Sequence, residues 1–407
     1  MAEVRAATLR EVVEALAPLD RTPCSPGERR AAEWLADRLR VAGCRDVALE
    51  DEPSWGTFAP TLAGLAALGI AGGLLGLAGR GRTGALLSLL SVAGIVDEAQ
   101  NGPRLVRRLV RRERRTVNVV AHAGDPAAKR TLVVLAHHDA AQTGVLFDQT
   151  LQTKIWELAP WLIEGRKTPP PQWWLAPGAL ALMLAGSLTG RRGLQLAGLA
   201  IVALGGALMA DLARNDTVPG ANDNLSACAL IVALAEMLRE EPVEGLSVWL
   251  VSCGAEETLQ DGVRGFVARH AEELGPQSTF FLVPDTVGSP NLGLLEAEGP
   301  MWMEDYAGPE FRELIVACAR EAGIELERGL RARASTDAIV PSRAGYPTAA
   351  LISLTPWRAL ANYHLTSDTP ENLDYGTVEA ATRLTEAVTR ALSAPRSPLR
   401  RSWSAHG

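Results

Sequence analysis

Cysteine and lysine are scarce in this chain of 407 residues. The five cysteines lack the close spacing of a cysteine-built metal site, and an odd number cannot all form disulfides, so we expect reduced, mostly buried thiols in a cytosolic compartment. Only three of the bases are lysines, and we interpret the dominance of arginine as the habit of a GC-rich genome. The N-terminal stretch carries Glu3, Arg5, Arg10 and Glu11 without a long apolar core, which argues against a signal peptide.

The chain also has no excess of positive charge, because its formal net charge is −7. This charge argues against general nucleic-acid binding. Apolar residues, in contrast, make up 47% of the chain and give it a positive mean hydropathy. This apolar excess is concentrated in residues 57–96 and 173–210. The length suits one large α/β domain with additions, or two domains.

Two pairs of apolar stretches are each joined by an arginine turn. Residues 57–79 hold no charge over 23 positions, which is long enough for a helix to cross a bilayer core of ~30 Å. A turn with Arg80 and Arg82 follows, and residues 83–96 are again apolar. Because 14 positions fall short of a full span, this limb would be tilted in, re-entrant, or extended by its neighbours. The same design returns in residues 173–189, Arg191 with Arg192, and residues 194–210. Many small residues suit close helix packing in lipid, so the pattern predicts two membrane hairpins; a soluble lid or a buried oligomer interface is the alternative.

Residues 104–115, between the two hairpins, read R-L-V-R-R-L-V-R-R-E-R-R. Their four apolar side chains would fall on one face of a helix with arginines around the rest, which predicts an interfacial helix on anionic lipid headgroups. A nucleic-acid patch is the alternative, but the segment has no aromatic interleaving. More arginines flank the polar parts than the hairpin turns, so the positive-inside rule places the polar domain in the cytoplasm.

An apolar strand pattern over residues 248–251 stops at Gly254 and is followed by Glu256 and Glu257. A strand that ends in a glycine turn places its next residues at the carboxyl edge of a sheet, where open α/β folds bind ligands. Adjacent carboxylates repel each other there unless a cation or a shared proton relieves them. One could bind a metal while the other moves a proton. A solvated pair at a helix start is the alternative.

Five further residues stand at comparable positions. His137 ends an apolar run and Asp139 follows it, as a metal ligand and its anchor would, or as ordinary surface residues. Asp223 precedes a helix at a glycine turn, either as an N-cap or as a bridging ligand. Asp285 follows another apolar run, and His364 precedes the last helical stretch. Two imidazoles and three carboxylates, with one glutamate to spare, are what two zinc ions need if one carboxylate bridges them.

The sequence therefore resembles metallopeptidase family twenty-eight, the co-catalytic di-zinc exopeptidases related to leucyl aminopeptidase, aminopeptidase Y and glutamate carboxypeptidase. The motifs that carry the resemblance are A-H-H-D at 136–139, G-A-N-D-N at 220–224, G-A-E-E at 254–257, P-D at 284–285 and Y-H-L-T-S-D-T-P at 363–370. It covers everything except the two hairpins and the tail. It implies a mixed, mostly parallel α/β sheet flanked by helices, into which the two hydrophobic helical hairpins are inserted.

Carried over residue by residue, the resemblance implies two zinc sites. Their ligands would be His137 and Asp285 for one ion, Glu257 and His364 for the other, and Asp223 as the bridge. Glu256 would be the general base and acid, and Asp139 would orient His137. Tyr363 could donate a hydrogen bond to the tetrahedral oxyanion, or be a packing tyrosine.

The hairpins depart from the pattern of that family, in which few residues separate the His-x-Asp motif from the bridging aspartate. Here the second hairpin lies between Asp139 and Asp223. If strands near 47–50 and 116–122 pair antiparallel and 131–136 runs with the first, both insertions leave the sheet at the same edge as His137. We therefore expect the mouth of the site to face the helical bundle or the bilayer. The substrate would then be a membrane-associated peptide, or a short peptide admitted through a lid.

Three classes of function follow. The favoured one is a membrane-attached zinc exopeptidase of the aminopeptidase type, acting on a peptide or amide. The second is a carboxypeptidase, another amide hydrolase or a glutaminyl cyclase on the same scaffold, although a cyclase needs only one zinc ion. The third is a membrane protein with a non-catalytic peptidase-like domain, against which the intact Glu256 speaks. The predicted organisation is a peptidase domain at 1–56, 98–150 and 213–392, insertions at 57–97 and 151–212, and a disordered tail at 393–407.

Overall fold

The computed structural model of the protein describes residues 2–394, with side chains from residue 6 onward, and shows a mixed nine-stranded sheet with helices on both faces. The predicted tail at 393–407 lies outside the described residues apart from its first two positions. The strands are β1 (Arg45–Ser54), β2 (Arg114–Gly124), β3 (Thr131–His137), β4 (Ser247–Cys253), β5 (Thr279–Pro284), β6 (Asn291–Glu298), β7 (Glu304–Asp305), β8 (Glu327–Ala332) and β9 (Thr348–Leu354). The α-helices are α1 (Ala2–Leu16), α2 (Pro26–Val41), α3 (Ala59–Leu77), α4 (Gly81–Ala99), α5 (Leu105–Val110), α6 (Thr150–Leu158), α7 (Leu175–Thr189), α8 (Arg192–Leu212), α9 (Ser226–Glu240), α10 (Asp261–Arg269), α11 (Pro309–Glu321), α12 (Ile339–Arg343) and α13 (Tyr375–Ser393).

The strands lie in the order β1-β2-β4-β3-β5-β9-β6-β7, and β8 pairs with β6. The central strands β4, β3, β5 and β9 are parallel to their neighbours in this set, whereas β1, β2 and β6 pair antiparallel with strands beside them. The predicted fold class is thus confirmed. Because parallel strands share a direction, the four central strands end at one edge of the sheet, and the residues that follow them meet there.

The central strands are apolar on both sides because helices cover both faces of the sheet. In β3, Leu132 and Val134 pack towards α1, α2, α9, α11 and α13, while Val133 and Leu135 pack towards α10 on the other face. All four side chains are fully buried. Burial of each contributes roughly 1.5–3 kcal/mol, so this layered core holds the strand ends in fixed positions.

The two predicted hydrophobic hairpins are present, and together they form a four-helix bundle. Helices α3 and α4 form one hairpin, α7 and α8 form the other, and α3 packs on α8 while α4 packs on α7. The helices approach closely at small residues: a Cβ added to Gly84 would lie 2.5 Å from the carbonyl oxygen of Gly72, and one added to Gly198 would lie 2.3 Å from that of Ala179. Such backbone contacts are characteristic of helix packing in lipid.

The structure extends one predicted segment and shortens another. The second limb of the first hairpin is a 19-residue helix, α4, because its neighbours extend it, which is one of the three outcomes expected for so short a limb; Asp97 and Glu98 continue the helix. Glu98 is fully buried in an ion pair with Arg107, whose Nη2 lies 2.5 Å away. The basic segment at 104–115 is helical only in α5, and β2 begins at Arg114. Arg104 and Arg107 are buried structural residues, so fewer arginines than predicted face outward.

The bundle stands at the edge of the sheet where β3 ends. Strand β1 pairs antiparallel with β2, and β2 pairs antiparallel with β4, which is parallel to β3. The chain therefore leaves β1 for α3 at the same edge as His137, as predicted. Helices α3 and α8 are long and apolar enough to cross a membrane; a third such stretch, Ala221–Glu240, is 94% buried and belongs to the core of the α/β fold.

The glycine contacts in the bundle lead to a matched prediction. Gly84→Ala is expected to destabilise the bundle by about 1–3 kcal/mol, because the new methyl group would overlap the backbone of α3. Gly205→Ala in α8 should be neutral or stabilising by up to about 1 kcal/mol, since among the described residues its Cβ would meet no atom of another element within 4 Å, and alanine favours the helix. Thermal unfolding of both variants in detergent micelles checks this, and equal effects at the two sites would contradict the packing.

Candidate metal centre

The predicted ligands meet at the carboxyl edge of the parallel strands. His137 is the last residue of β3, Glu257 lies in the short turn after β4, and Asp285 directly follows β5. His364 comes from the loop after β9, and Asp223 from a single irregular turn, Ala221–Leu225, that precedes α9. The structure thus brings together five residues that are spread over most of the chain.

Asp223 lies between the two histidines. Its Oδ1 is 3.3 Å from Nε2 of His137, and its Oδ2 is 3.1 Å from Nε2 of His364. The same nitrogen of His364 is 3.3 Å from Oε1 of Glu257. Helix α9 has no side-chain N-cap, so the alternative that Asp223 caps this helix is excluded.

Two sets of three potential ligand atoms result, and they share Asp223. One set consists of His137, Asp223 and Asp285, and the other of Asp223, Glu257 and His364; within each set the atoms lie within 4.8 Å of one another. A carboxylate that offers one oxygen to each of two ions is the usual bridge in a two-metal site. The geometry therefore matches two adjacent metal positions.

The electrostatics of the site favour cations. Burial, opposed by His137 and reinforced by Asp223, raises the pKa of Asp285 to about 7. Burial also raises the pKa of Glu256 well above its usual range, although His137 opposes the shift. Burial alone would lower the pKa of His364, but Glu257 and Asp223 outweigh it and raise that pKa to about 10. Carboxylates crowded in this way take up protons or bind metal, because their charges repel one another.

The donor set fits zinc. Imidazole nitrogens and carboxylate oxygens are common zinc ligands. Both ring nitrogens of His364 are buried; Nδ1 has no hydrogen-bond partner among the described residues, and Nε2 lies close to Asp223 and Glu257 without a well-directed hydrogen bond to either. A buried polar atom without a partner is costly unless a ligand satisfies it. These residues are therefore suited to holding metal ions.

Asp139 holds the Glu256–Glu257 turn in addition to facing His137. Its two carboxylate oxygens accept hydrogen bonds from the backbone N–H groups of Glu256 and Glu257, each at 3.0 Å. Its Oδ1 also lies 3.5 Å from Nδ1 of His137. The carboxylate of Asp139 thus fixes the position of the turn after β4 with respect to the end of β3.

Sequence reasoning missed several residues that support this edge. Asp368 accepts hydrogen bonds from the N–H groups of Asn222 at 2.8 Å and Asp223 at 3.1 Å, so it positions the bridging residue. Arg21 is fully buried and donates to the carbonyl oxygens of His138 at 2.9 Å and Pro219 at 2.7 Å. Asp368 lies inside a recognised motif, which was a signal for its importance. No sequence signal marked Arg21 as important, because its hydrogen-bond partners are backbone atoms far along the chain.

Asp337 was also missed. It is 1% exposed, and neither of its carboxylate oxygens has a hydrogen-bond partner among the described residues. Burial raises its pKa well above the usual range, with His137 opposing the shift and Asp139 reinforcing it. Asp337 therefore adds a further acidic group to the surroundings of the metal centre.

Aromatic rings cover His364. The ring of Tyr363 stacks on it with centroids 3.8 Å apart and planes at 24°, and Phe147 meets it edge-on at 4.3 Å. Phe147 lies just before the second insertion, and the nearby cleft over Glu257 and His364 is also lined by Phe58 and Leu212 from the end of the bundle nearest the sheet. The site therefore faces the bundle. The role of Tyr363 as an oxyanion donor stays a prediction.

Residues 208–389 match the model of Peptidase family M28, so the resemblance predicted from the motifs is confirmed. Together with the mixed α/β sheet and this arrangement of side chains, the match defines a peptidase-like hydrolase. A comparison with curated protein sequences found no match.

Solved structures share the fold at low sequence identity. A leucine aminopeptidase precursor from Bacteroides thetaiotaomicron is 13% identical, with a TM-score of 0.54 over 95% of this chain and 96% of its own. An aminopeptidase from Aneurinibacillus sp. is 13% identical, with a TM-score of 0.53 over 94% of this chain and 92% of its own. A glutaminyl cyclase from Fimbriiglobus ruber is 13% identical, with a TM-score of 0.53 over 95% of this chain and 94% of its own. These similarities are evidence for the scaffold and leave the reaction open between peptide hydrolysis and cyclisation.

Proposed function

We propose that the protein is a membrane-attached, zinc-dependent exopeptidase of the aminopeptidase type. The observation that carries the proposal is the pair of ligand sets that share Asp223. His137 and Asp285 would hold one zinc ion, Glu257 and His364 the other, and Asp223 both. The family match supports a peptide as the substrate.

The chain's own residues supply the proton chemistry. When bound, the two zinc ions would lower the pKa of a water molecule and polarise the scissile carbonyl. Glu256 takes a proton from the attacking water and returns it to the leaving amine. Its carboxylate is suited to this task because it is held at the site but is not a member of either ligand set. Asp139 keeps Glu256 in place through its backbone N–H.

Membrane attachment is supported by the bundle. Helix α3 has 19 residues, a length of ~28 Å, and apolar side chains such as Leu74, Leu86, Leu188 and Leu204 are more than half exposed on the bundle surface. Bilayer lipid is the solvent that such a surface suits. At the peptidase end of the bundle, exposed basic side chains still outnumber the four arginines of the two turns, which supports a cytoplasmic peptidase domain. Those basic residues are Arg108, Arg112, Arg114, Arg115, Arg166, Lys167 and Arg214.

The proposal predicts chelator-sensitive peptide hydrolysis. Protein recovered from carbonate-washed membranes should release the first residue from aminoacyl reporters, lose this activity on chelation, and regain it with zinc at a stoichiometry of two ions per chain. Peptides blocked at the N-terminus or at the C-terminus distinguish an aminopeptidase from a carboxypeptidase. Protein found in the carbonate wash would contradict membrane attachment, and inertness towards a peptide library with zinc present would contradict the enzyme.

A glutaminyl cyclase is the second candidate, since cyclases share the scaffold. The complete pair of ligand sets favours the peptidase, because a cyclase needs only one zinc ion. A peptide with N-terminal glutamine separates the two reactions: a cyclase closes the terminal ring with release of ammonia, whereas an aminopeptidase frees glutamine. One tightly held metal ion together with ring closure would favour the cyclase.

A further inference from the structure

The side chain of the proposed base is held by a neighbour outside the recognised motifs. Nε2 of Gln260 donates a hydrogen bond to Oε1 of Glu256 at 2.6 Å. Gln260 is 1% exposed and lies in the left-handed region with φ of 63°, so the chain holds it in a conformation that is unfavourable for a residue with a side chain. A strained and buried position of this kind is typical of functional sites.

The amide of Gln260 can adopt only one orientation. Its Nε2 also donates to the carbonyl oxygen of Ser335 at 3.0 Å, and its Oε1 accepts from Nδ2 of Asn101 and lies 3.3 Å from Oγ of Ser335. If the amide turned over, its oxygen would face the carboxylate of Glu256 and a carbonyl oxygen, and neither can donate. The donor is therefore kept towards Glu256.

Asn101 is oriented in turn by two arginines. The backbone carbonyl oxygen of Asn101 accepts hydrogen bonds from Nη2 of Arg264 at 2.7 Å and from Nη1 of Arg343 at 2.9 Å. Arg264 also donates a hydrogen bond to the side-chain Oδ1 of Asn101. These bonds engage the oxygens of Asn101 and leave its Nδ2 to face Gln260. Asn101 is 1% exposed and follows the end of α4 at Ala99 by two positions.

We propose that Asn101 and Gln260 are positioning residues for Glu256. They hold Oε1 of its carboxylate and leave Oε2 to take and return the proton. The chain of hydrogen bonds begins at Asn101, two positions after α4 ends, so the segment that follows the inserted hairpin contributes to the geometry of the base. This inference rests on the proposed function.

Two single variants and their combination test the proposal. Gln260→Leu removes the donor at similar volume, and Asn101→Asp replaces the N–H donor to Gln260 by an acceptor. Each is expected to lower kcat about 10- to 100-fold, as is usual for residues that orient a metal-site group, with KM and zinc content unchanged. Asn101→Asp should also keep or raise the melting temperature, because the new carboxylate would lie beside Arg264 and Arg343.

The double variant is the decisive measurement. If the two residues act as one relay, Asn101→Asp should cost nothing further once Gln260 is leucine, so the losses should not multiply. Multiplied losses, or unchanged kcat in both single variants, would overturn the relay. A fall in zinc content or melting temperature that tracks the loss of kcat would overturn it in favour of a structural role. Glu256→Gln is included because near wild-type activity of that variant would refute Glu256 as the base that the relay serves. Inertness of the wild type towards peptides with zinc present would instead refute the proposed function itself.

Discussion

Replacing Glu256 by glutamine is expected to lower kcat by about 10²- to 10⁴-fold, which corresponds to roughly 3–6 kcal/mol of activation free energy. Glutamine keeps the shape of the side chain and an acceptor for Gln260, but it cannot take a proton from water at neutral pH. Neither of the two ligand sets contains Glu256, so zinc should stay bound. Initial rates on an aminoacyl reporter, together with metal analysis of the same preparation, measure both effects.

A matched control for this variant is Glu310→Gln on the exposed first turn of α11. It makes the same chemical change far from the site and should leave kcat and zinc content as in wild type. A Glu256→Gln protein with near wild-type kcat would show that another group moves the proton. A variant that has lost zinc would instead place Glu256 among the ligands.

Replacing Asp223 by alanine is expected to remove the metals themselves. Its two oxygens face His137 and His364, so both ligand sets lose their shared member. Activity should fall at least as far as in Glu256→Gln. Zinc should also cease to stabilise the fold: at a zinc concentration of 100 Kd wild type gains about 2.7 kcal/mol, and this gain should vanish in the variant.

Thermal unfolding with and without added zinc, together with metal stoichiometry, checks the Asp223 prediction. Asp216→Ala, seven positions earlier and exposed, is the matched control and should retain two ions per chain. Without zinc, Asp223→Ala should be less stable than wild type, because His137 and His364 hold the pKa of Asp223 below its usual range and lose their contacts with its carboxylate. The readout of the bridging role is therefore the loss of the zinc-dependent gain in stability. Full zinc occupancy in Asp223→Ala would refute the bridging role.

The gross fold could be predicted because its signals are local. The runs that became β3, β4 and β5 are short, apolar and ended by turn residues, and uncharged stretches flanking an arginine turn indicate helical hairpins whatever surrounds them. Three candidate ligands, His137, Glu257 and Asp285, were found for the same reason, since each follows such a run; Asp223 and His364 were found in turns that precede helices. That they share one site follows from the parallel arrangement of the strands, which places those ends at one edge.

The limits of α4 and α5 could not be predicted because they depend on distant partners. A charge normally ends an apolar span because its burial is costly, but Glu98 is buried within α4 since Arg107 pairs with it in the interior. Arg104 looked like part of a basic surface, yet its Nη2 lies 2.6 Å from Oδ1 of Asp261 and the side chain is buried. An arginine in a sequence carries no sign of whether it will face lipid headgroups or a buried carboxylate.

The α/β class, the two hairpins and the chemistry of the ligands could be inferred without coordinates, because strand ends, apolar length and residue type are properties of short segments. The folded chain was needed to show that Asp223 lies between two histidines, that Asp368 and Arg21 support that edge, and that Asn101 reaches Glu256 through Gln260. Those relations join residues far apart in the chain, and they exist only once burial has brought the segments together and every buried polar group has had to find a partner.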